Sequence, residues 1–137
     1  MRTATISASV SSATVTENLL TVTVRKFDVF TTHYYLQAPQ TTPEHMEATL
    51  ARNGVAVDLT TATVNFKMWL RGVCKVNRDV HIESAVDGIV WVVWEAAEVD
   101  EPGTYSAEFT VTHLDGRVQI FPSDGYTTVV ILPRGVC

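Results

Sequence analysis

Four histidines, His33, His45, His81 and His113, are the first side chains to weigh for chemistry, and none stands in an HxH or HExxH spacing. The local grouping nearest to a ligand set is Glu44, His45 and Glu47. Adjacent residues of a strand face opposite ways, so His45 cannot join both carboxylates on one side, and no metal or cofactor is expected. His113 closes an inward-facing row and is expected as a hydrogen-bonded rim residue. The carboxylates Glu95, Glu98, Asp100 and Glu101 crowd before Pro102. A glycosidase needs two carboxyls about 5 to 9 Å apart across a cleft, which a short acidic loop rarely builds, so this loop reads as a solvated turn. No GxSxG elbow frames any serine, and Cys74 lacks a nucleophile signature. The chain is not expected to be an enzyme.

Side chains suited to binding stand out more. Trp69, Trp91 and Trp94 are of the residue type enriched among those that carry interface energy, and exposed aromatics also stack on sugar rings. Trp91 and Trp94 differ by an odd number of positions, so on a regular strand they face opposite ways and at most one enters the core. The neighbours Tyr34 and Tyr35 are divided in the same manner. Tyr34, Tyr35, Trp69 and Trp94 are the candidate interface residues.

The elements that must position them are strands. From Tyr105, the residues Tyr105, Ala107, Phe109 and Val111 share one face, and Ser106, Glu108, Thr110 and Thr112 the other. Val64, Phe66, Met68 and Leu70 alternate likewise with Thr63, Asn65, Lys67 and Trp69. Ile89 to Trp94 is apolar on both faces, as in a covered central strand. Asn53-Gly54, Asp87-Gly88, Pro102-Gly103, Asp115-Gly116 and Asp124-Gly125 punctuate the chain with turn signals, and strands at 8- to 12-residue spacing are the pattern of an antiparallel sandwich. The spacing from Glu101 to Tyr105 suits an immunoglobulin-like tyrosine corner, with Gly103 and Tyr105 as its structural residues. The expected fold is all-β: an antiparallel immunoglobulin-like β-sandwich over residues 44–137, preceded by an extended N-terminal β arm and proline-flanked linker over residues 1–43. The arm's Thr-rich strands, Thr3 to Val10 among them, add little core and offer backbone edges for pairing between subunits.

At 137 residues the chain can bury a core of its own. A net charge of −5, with ten scattered basic residues, argues against a nucleic-acid partner. No apolar run approaches the roughly 20 residues of a membrane span, and Ser and Thr interrupt the N-terminal stretch too often for a secretory signal. Cys74 and Cys137 are expected as free thiols in a reducing compartment, with a bridge between them as the alternative.

The order of short motifs resembles the N-terminal immunoglobulin-like domain of bacteriophage baseplate upper proteins and related phage tail proteins. The residues that carry the resemblance are Tyr34-Tyr35, Pro43, Gly54, Val57 to Ala62 with Phe66, Gly88 to Trp94, Gly103 to Phe109, Asp115-Gly116 and Pro122 to Gly125. They span most of the chain. Gln40-Thr41-Thr42 stands where the family often has a Gly-Asp pair, and the longer family members continue into a C-terminal portion beyond this domain. The resemblance implies a structural component of a tailed bacteriophage virion (tail or baseplate, neck or capsid-attached), assembled in the host bacterial cytoplasm. It would act through contacts with other virion proteins in a homo-oligomer or ring. The alternative is a carbohydrate-recognising receptor-binding module of the phage particle.

Overall fold

The computed structural model of the protein describes residues 19–26, 29–31, 33–38 and 45–133. In chain order the strands are β1 (Leu20–Lys26), β2 (Val29–Thr31), β3 (His33–Gln37), β4 (His45–Arg52), β5 (Val55–Ala56) and β6 (Thr63–Leu70). They continue with β7 (Val73–Asp79), β8 (His81–Ser84), β9 (Ile89–Val93), β10 (Gly103–Thr112), β11 (Val118–Phe121) and β12 (Thr127–Leu132). A single 3-10 turn, Ala96–Glu98, lies between β9 and β10. No helix among the described residues is long and apolar enough to cross a membrane.

The strands form two sheets. The first runs β2-β1-β4-β9-β8, with β5 hairpinned onto β4, and the second runs β3-β12-β10-β6-β7, with β11 on β10. Within these, β1-β4-β9-β8 follows the A-B-E-D order of an immunoglobulin sandwich, and β12-β10-β6-β7 follows G-F-C-C′. Every pairing is antiparallel except that of β3 on β12, which is parallel. The fold is therefore an all-β immunoglobulin-like sandwich.

Period-two alternation builds the core from both sides. Met46, Ala48 and Leu50 on β4 and Val90 and Val92 on β9 face Val64, Phe66 and Met68 on β6 and Tyr105, Ala107, Phe109 and Val111 on β10, all buried. Phe66 and Phe109 meet at 5.0 Å between ring centroids, and they pair directly across the β6–β10 ladder. Leu70, read as inward, is only half-buried, because the register shifts between Met68 and Trp69 and the alternation breaks there. Asn53 and Gly54 carry φ values of 52° and 80°, which close the β4–β5 hairpin as the Asn-Gly signal requires.

The break placed at residues 43/44 does not divide the described residues into arm and body. β1 pairs with β4 from Leu20 to Arg25, β3 pairs with β12, and Val22, Val24, Tyr34 and Leu36 lie in the core. Burial of their inward side chains outweighs the thin apolar content of these strands; Thr3 to Val10 and the proline-flanked segment lie outside the described residues. The segment from Val73 to Ser84 forms two strands that part company, β7 in the second sheet and β8 in the first. Val55–Ala56 is a two-residue strand, and past it Asp58 caps its own turn by accepting from the Thr60 amide.

The acidic loop is also not a solvated turn throughout. Glu98 is buried, and its carboxylate accepts from Arg78 Nε at 2.7 Å and Nη2 at 2.9 Å. The same Arg78 Nη2 donates to the Val93 carbonyl, and the Glu95 amide donates to Glu98 Oε1. The bidentate pair thus ties β7 of one sheet to the end of β9 in the other. Glu98→Ala leaves Arg78 half-buried without its partner, and a loss of about 2 kcal/mol in urea unfolding is expected, below the 3 to 5 of a fully buried pair because Arg78 keeps some access to water. A midpoint unchanged from wild type would show that the pair does not join the sheets.

Candidate interaction surface

Tyr105 opens β10 just after the 3-10 turn, with its ring 1% exposed. Its hydroxyl donates to the Glu101 carbonyl at 2.8 Å, four residues back. This is the hydrogen bond of a tyrosine corner, and it fixes the path of the loop that carries Glu98. At Gly103 an added Cβ would come within 3.0 Å of Leu70 Cδ2, so the small residue lets the corner close on β6. Burial, followed by the nearby Glu101 carboxylate, raises the Tyr105 phenol pKa above its ordinary 10.0. The fold favours the neutral form, so this contribution is complete below about pH 10 and is lost as pH rises through the folded-state pKa. Tyr105→Phe should cost about 1 kcal/mol at neutral pH. It should also show a shallower alkaline loss of stability than wild type, read from urea midpoints at pH 7 and 11; parallel alkaline losses would reject this account.

The outward positions of the second sheet carry a group of large apolar side chains among Thr, Ser and Asn. Register places Tyr35 beside Val130 across β3 and β12, Val130 beside Thr104 across β12 and β10, and Ser106 beside Trp69 across β10 and β6. Tyr126, 59% exposed, reaches across β10 to pack edge-on against Trp69, with ring centroids 4.9 Å apart and planes at 87°. Tyr35 is 49% exposed. Ile120, on the same outward parity, lies beside Thr110.

The outer face of the first sheet is built differently. Arg25, Glu47, Trp91 and His81 stand in one row across β1, β4, β9 and β8. Glu47 Oε1 accepts from Arg25 Nη2 at 2.8 Å and from the Trp91 indole N–H at 3.2 Å. His45 stacks on Trp91 at 4.0 Å, and His81 approaches Glu83 at 3.0 Å. The polar ends of this face are thus engaged with one another. His45 and Glu47 do share a side, as parity demands, while Glu44 lies outside the described residues. No group of three or more His, Cys, Asp or Glu placed to hold a metal occurs among the described residues.

The four candidate interface residues divide evenly. Tyr35 and Trp69 share the outer face of the second sheet. Tyr34 and Trp94 do not lie on a surface: they are 1% and 5% exposed, pack against each other at 6.1 Å, and Trp94 sets its ring edge-on to Phe66. The reason is parity, since Tyr34 shares the inward set with Leu36, and Trp94 continues the inward set of Val90 and Val92 beyond the end of β9. The Trp94 N–H has no acceptor in hydrogen-bond geometry. Burial raises the Tyr34 phenol pKa, and the neighbouring Trp94 indole N–H partly offsets the rise. The indole turned outward on β9 is Trp91. Tyr126 was missed, although the inward set Thr127, Val129 and Ile131 places it outward with Val130.

His113 is half-buried at the rim, its Nε2 2.6 Å from Gln119 Oε1. It borders an open groove of about 460 Å³ with Arg52, Asp58 and Arg117. Cys74 is exposed with a free thiol, on the outward row of Trp69; Cys137 lies outside the described residues. Ala107, two positions after the corner tyrosine, is wholly buried, so packing holds the sheets together at that point.

No family model matches the chain, and no curated protein does. Among solved structures it is similar to CopC from Methylosinus trichosporium OB3b, with 13% identity and a TM-score of 0.47 over 77% of this chain and 88% of that one.

Proposed function

We propose that this chain is a non-enzymatic structural component of a tailed bacteriophage virion, working through protein contacts made by the outer face of its second sheet. The observation that carries the contact role is the cluster of Tyr35, Val130, Trp69 and Tyr126 on one exposed sheet face. Large aromatic side chains held rigid by a sheet bury much area at small entropic cost, as interface anchors do. The virion assignment rests on the succession of motifs from Tyr34-Tyr35 to the Pro122-Ser123-Asp124-Gly125 approach. An antibody against the chain, applied to tailed particles purified from the source culture, should label one level of the particle in electron micrographs. Its absence from purified particles by immunoblot would overturn the virion role. A glycan array supplies a second check: micromolar sugar binding abolished by Trp69→Ala or Trp91→Ala would move the reading to receptor recognition.

A further inference from the structure

We propose that the outer face of the second sheet seats the same face of a second copy of this chain, making a symmetric dimer. This rests on the contact role proposed above and names the partner. The first reason is charge. On the outward positions of the three middle strands β12, β10 and β6 the charged residues are Glu108 and Lys67, opposite in sign and in direct register, and β7 adds Asp79 at the edge of the face beside Asn65. The middle of the face is therefore neutral on a chain whose net charge is −5. Two such chains repel one another through most of their surfaces but not through this one, and charge-depleted aromatic cores are the mark of interfaces between like subunits.

The second reason is area. Five strands at about 4.8 Å spacing give a face about 24 Å wide, and the ten residues of β10 run about 33 Å, so the face offers up to about 800 Å². A standard stable interface uses about 800 Å² per partner. The strands flanking β10 are shorter, so the buried area falls below that ceiling and the dimer belongs in the micromolar range. An isologous contact also suits the shape. The Trp69–Tyr126 pair lies over β10, the central strand of the sheet, so a two-fold axis there brings both copies' aromatic pairs into one patch.

Sedimentation equilibrium of the full chain tests this. At about 200 μM the wild type should sediment near twice its 15.1 kDa mass, with a dissociation constant in the micromolar range. Trp69→Glu and Tyr126→Glu should each weaken the dimer at least tenfold. Trp91→Glu, on the opposite face, should leave it unchanged, and circular dichroism melts verify that each variant folds. A wild-type monomer at that concentration would overturn the second copy as partner. If Trp69→Glu then still lowered incorporation into particles, the face would belong to a different virion protein and the contact role would stand. A dimer untouched by both face variants would overturn the assignment of this surface.

Discussion

Gly88→Ala should destabilise the sandwich by about 2 to 5 kcal/mol, enough to unfold a domain of ordinary stability under mild denaturant. Two effects add. Gly88 has φ of +66°, and a Cβ built there would lie 2.6 Å from the Leu50 carbonyl oxygen and 2.9 Å from that of Val57. Left-handed backbone costs a side-chain-bearing residue about 1 to 2 kcal/mol. The close approach adds more, because both obstructing atoms are backbone and neither can swing aside. The obstructed strand is also engaged, since the Leu50 amide donates to the Gly88 carbonyl at 2.8 Å. Gly54 separates the two effects: its φ is +80° with nothing within 4 Å of a built Cβ. Gly54→Ala should lose only about 1 kcal/mol. Equal urea midpoints for the two variants would reject the steric part of the argument.

Phe109→Ala is the second large loss, about 3 to 5 kcal/mol. Phe109 is fully buried at the middle of β10. It contacts Phe66 at 5.0 Å and stands in register with Phe121 across β11. Both neighbours are themselves held by the ladder, so the cavity left behind cannot collapse fully. Phe66 also supports Trp94 at 6.0 Å, and the variant's tryptophan fluorescence should shift toward that of a solvated indole. Thr110→Ala, one residue along and facing outward, should change stability by less than about 0.5 kcal/mol. A Phe109→Ala melting temperature equal to that of wild type would mean that the inward row is assigned wrongly.

Which residues of the candidate surface could be read in advance followed parity closely. Trp69 falls on the outer face because the inward set of β6 is clear in the chain, and Tyr35 does so because it alternates with the buried Tyr34 and Leu36. Tyr34 and Trp94 were misplaced for one shared reason. Trp94 lies beyond the last residue of β9 and Tyr34 in a short strand between segments of weak pattern, so alternation alone could not say which side faced the second sheet. The pairing of β3 with β12 decides it for Tyr34, and the inward packing against Phe66 decides it for Trp94. Glu98 shows the converse. Its acidic neighbours suggested water, but Arg78, 20 residues earlier, folds onto it from the other sheet.

By itself, the sequence determined the class of fold, the inward rows of β10 and of β6 as far as Met68, the turn at Asn53-Gly54 and the corner residue Tyr105. These depend on the period-two alternation of side chains and on local backbone preferences, which act over a few residues and are written in neighbouring positions. Only the tertiary structure decided that β1 and β3 belong to the sandwich, that Glu98 is a buried ion-pair partner, and that Tyr126 and Trp69 meet over β10. Each of those depends on which strand lies beside which, and that is set by the joint burial of apolar faces from distant parts of the chain, a condition no single segment carries.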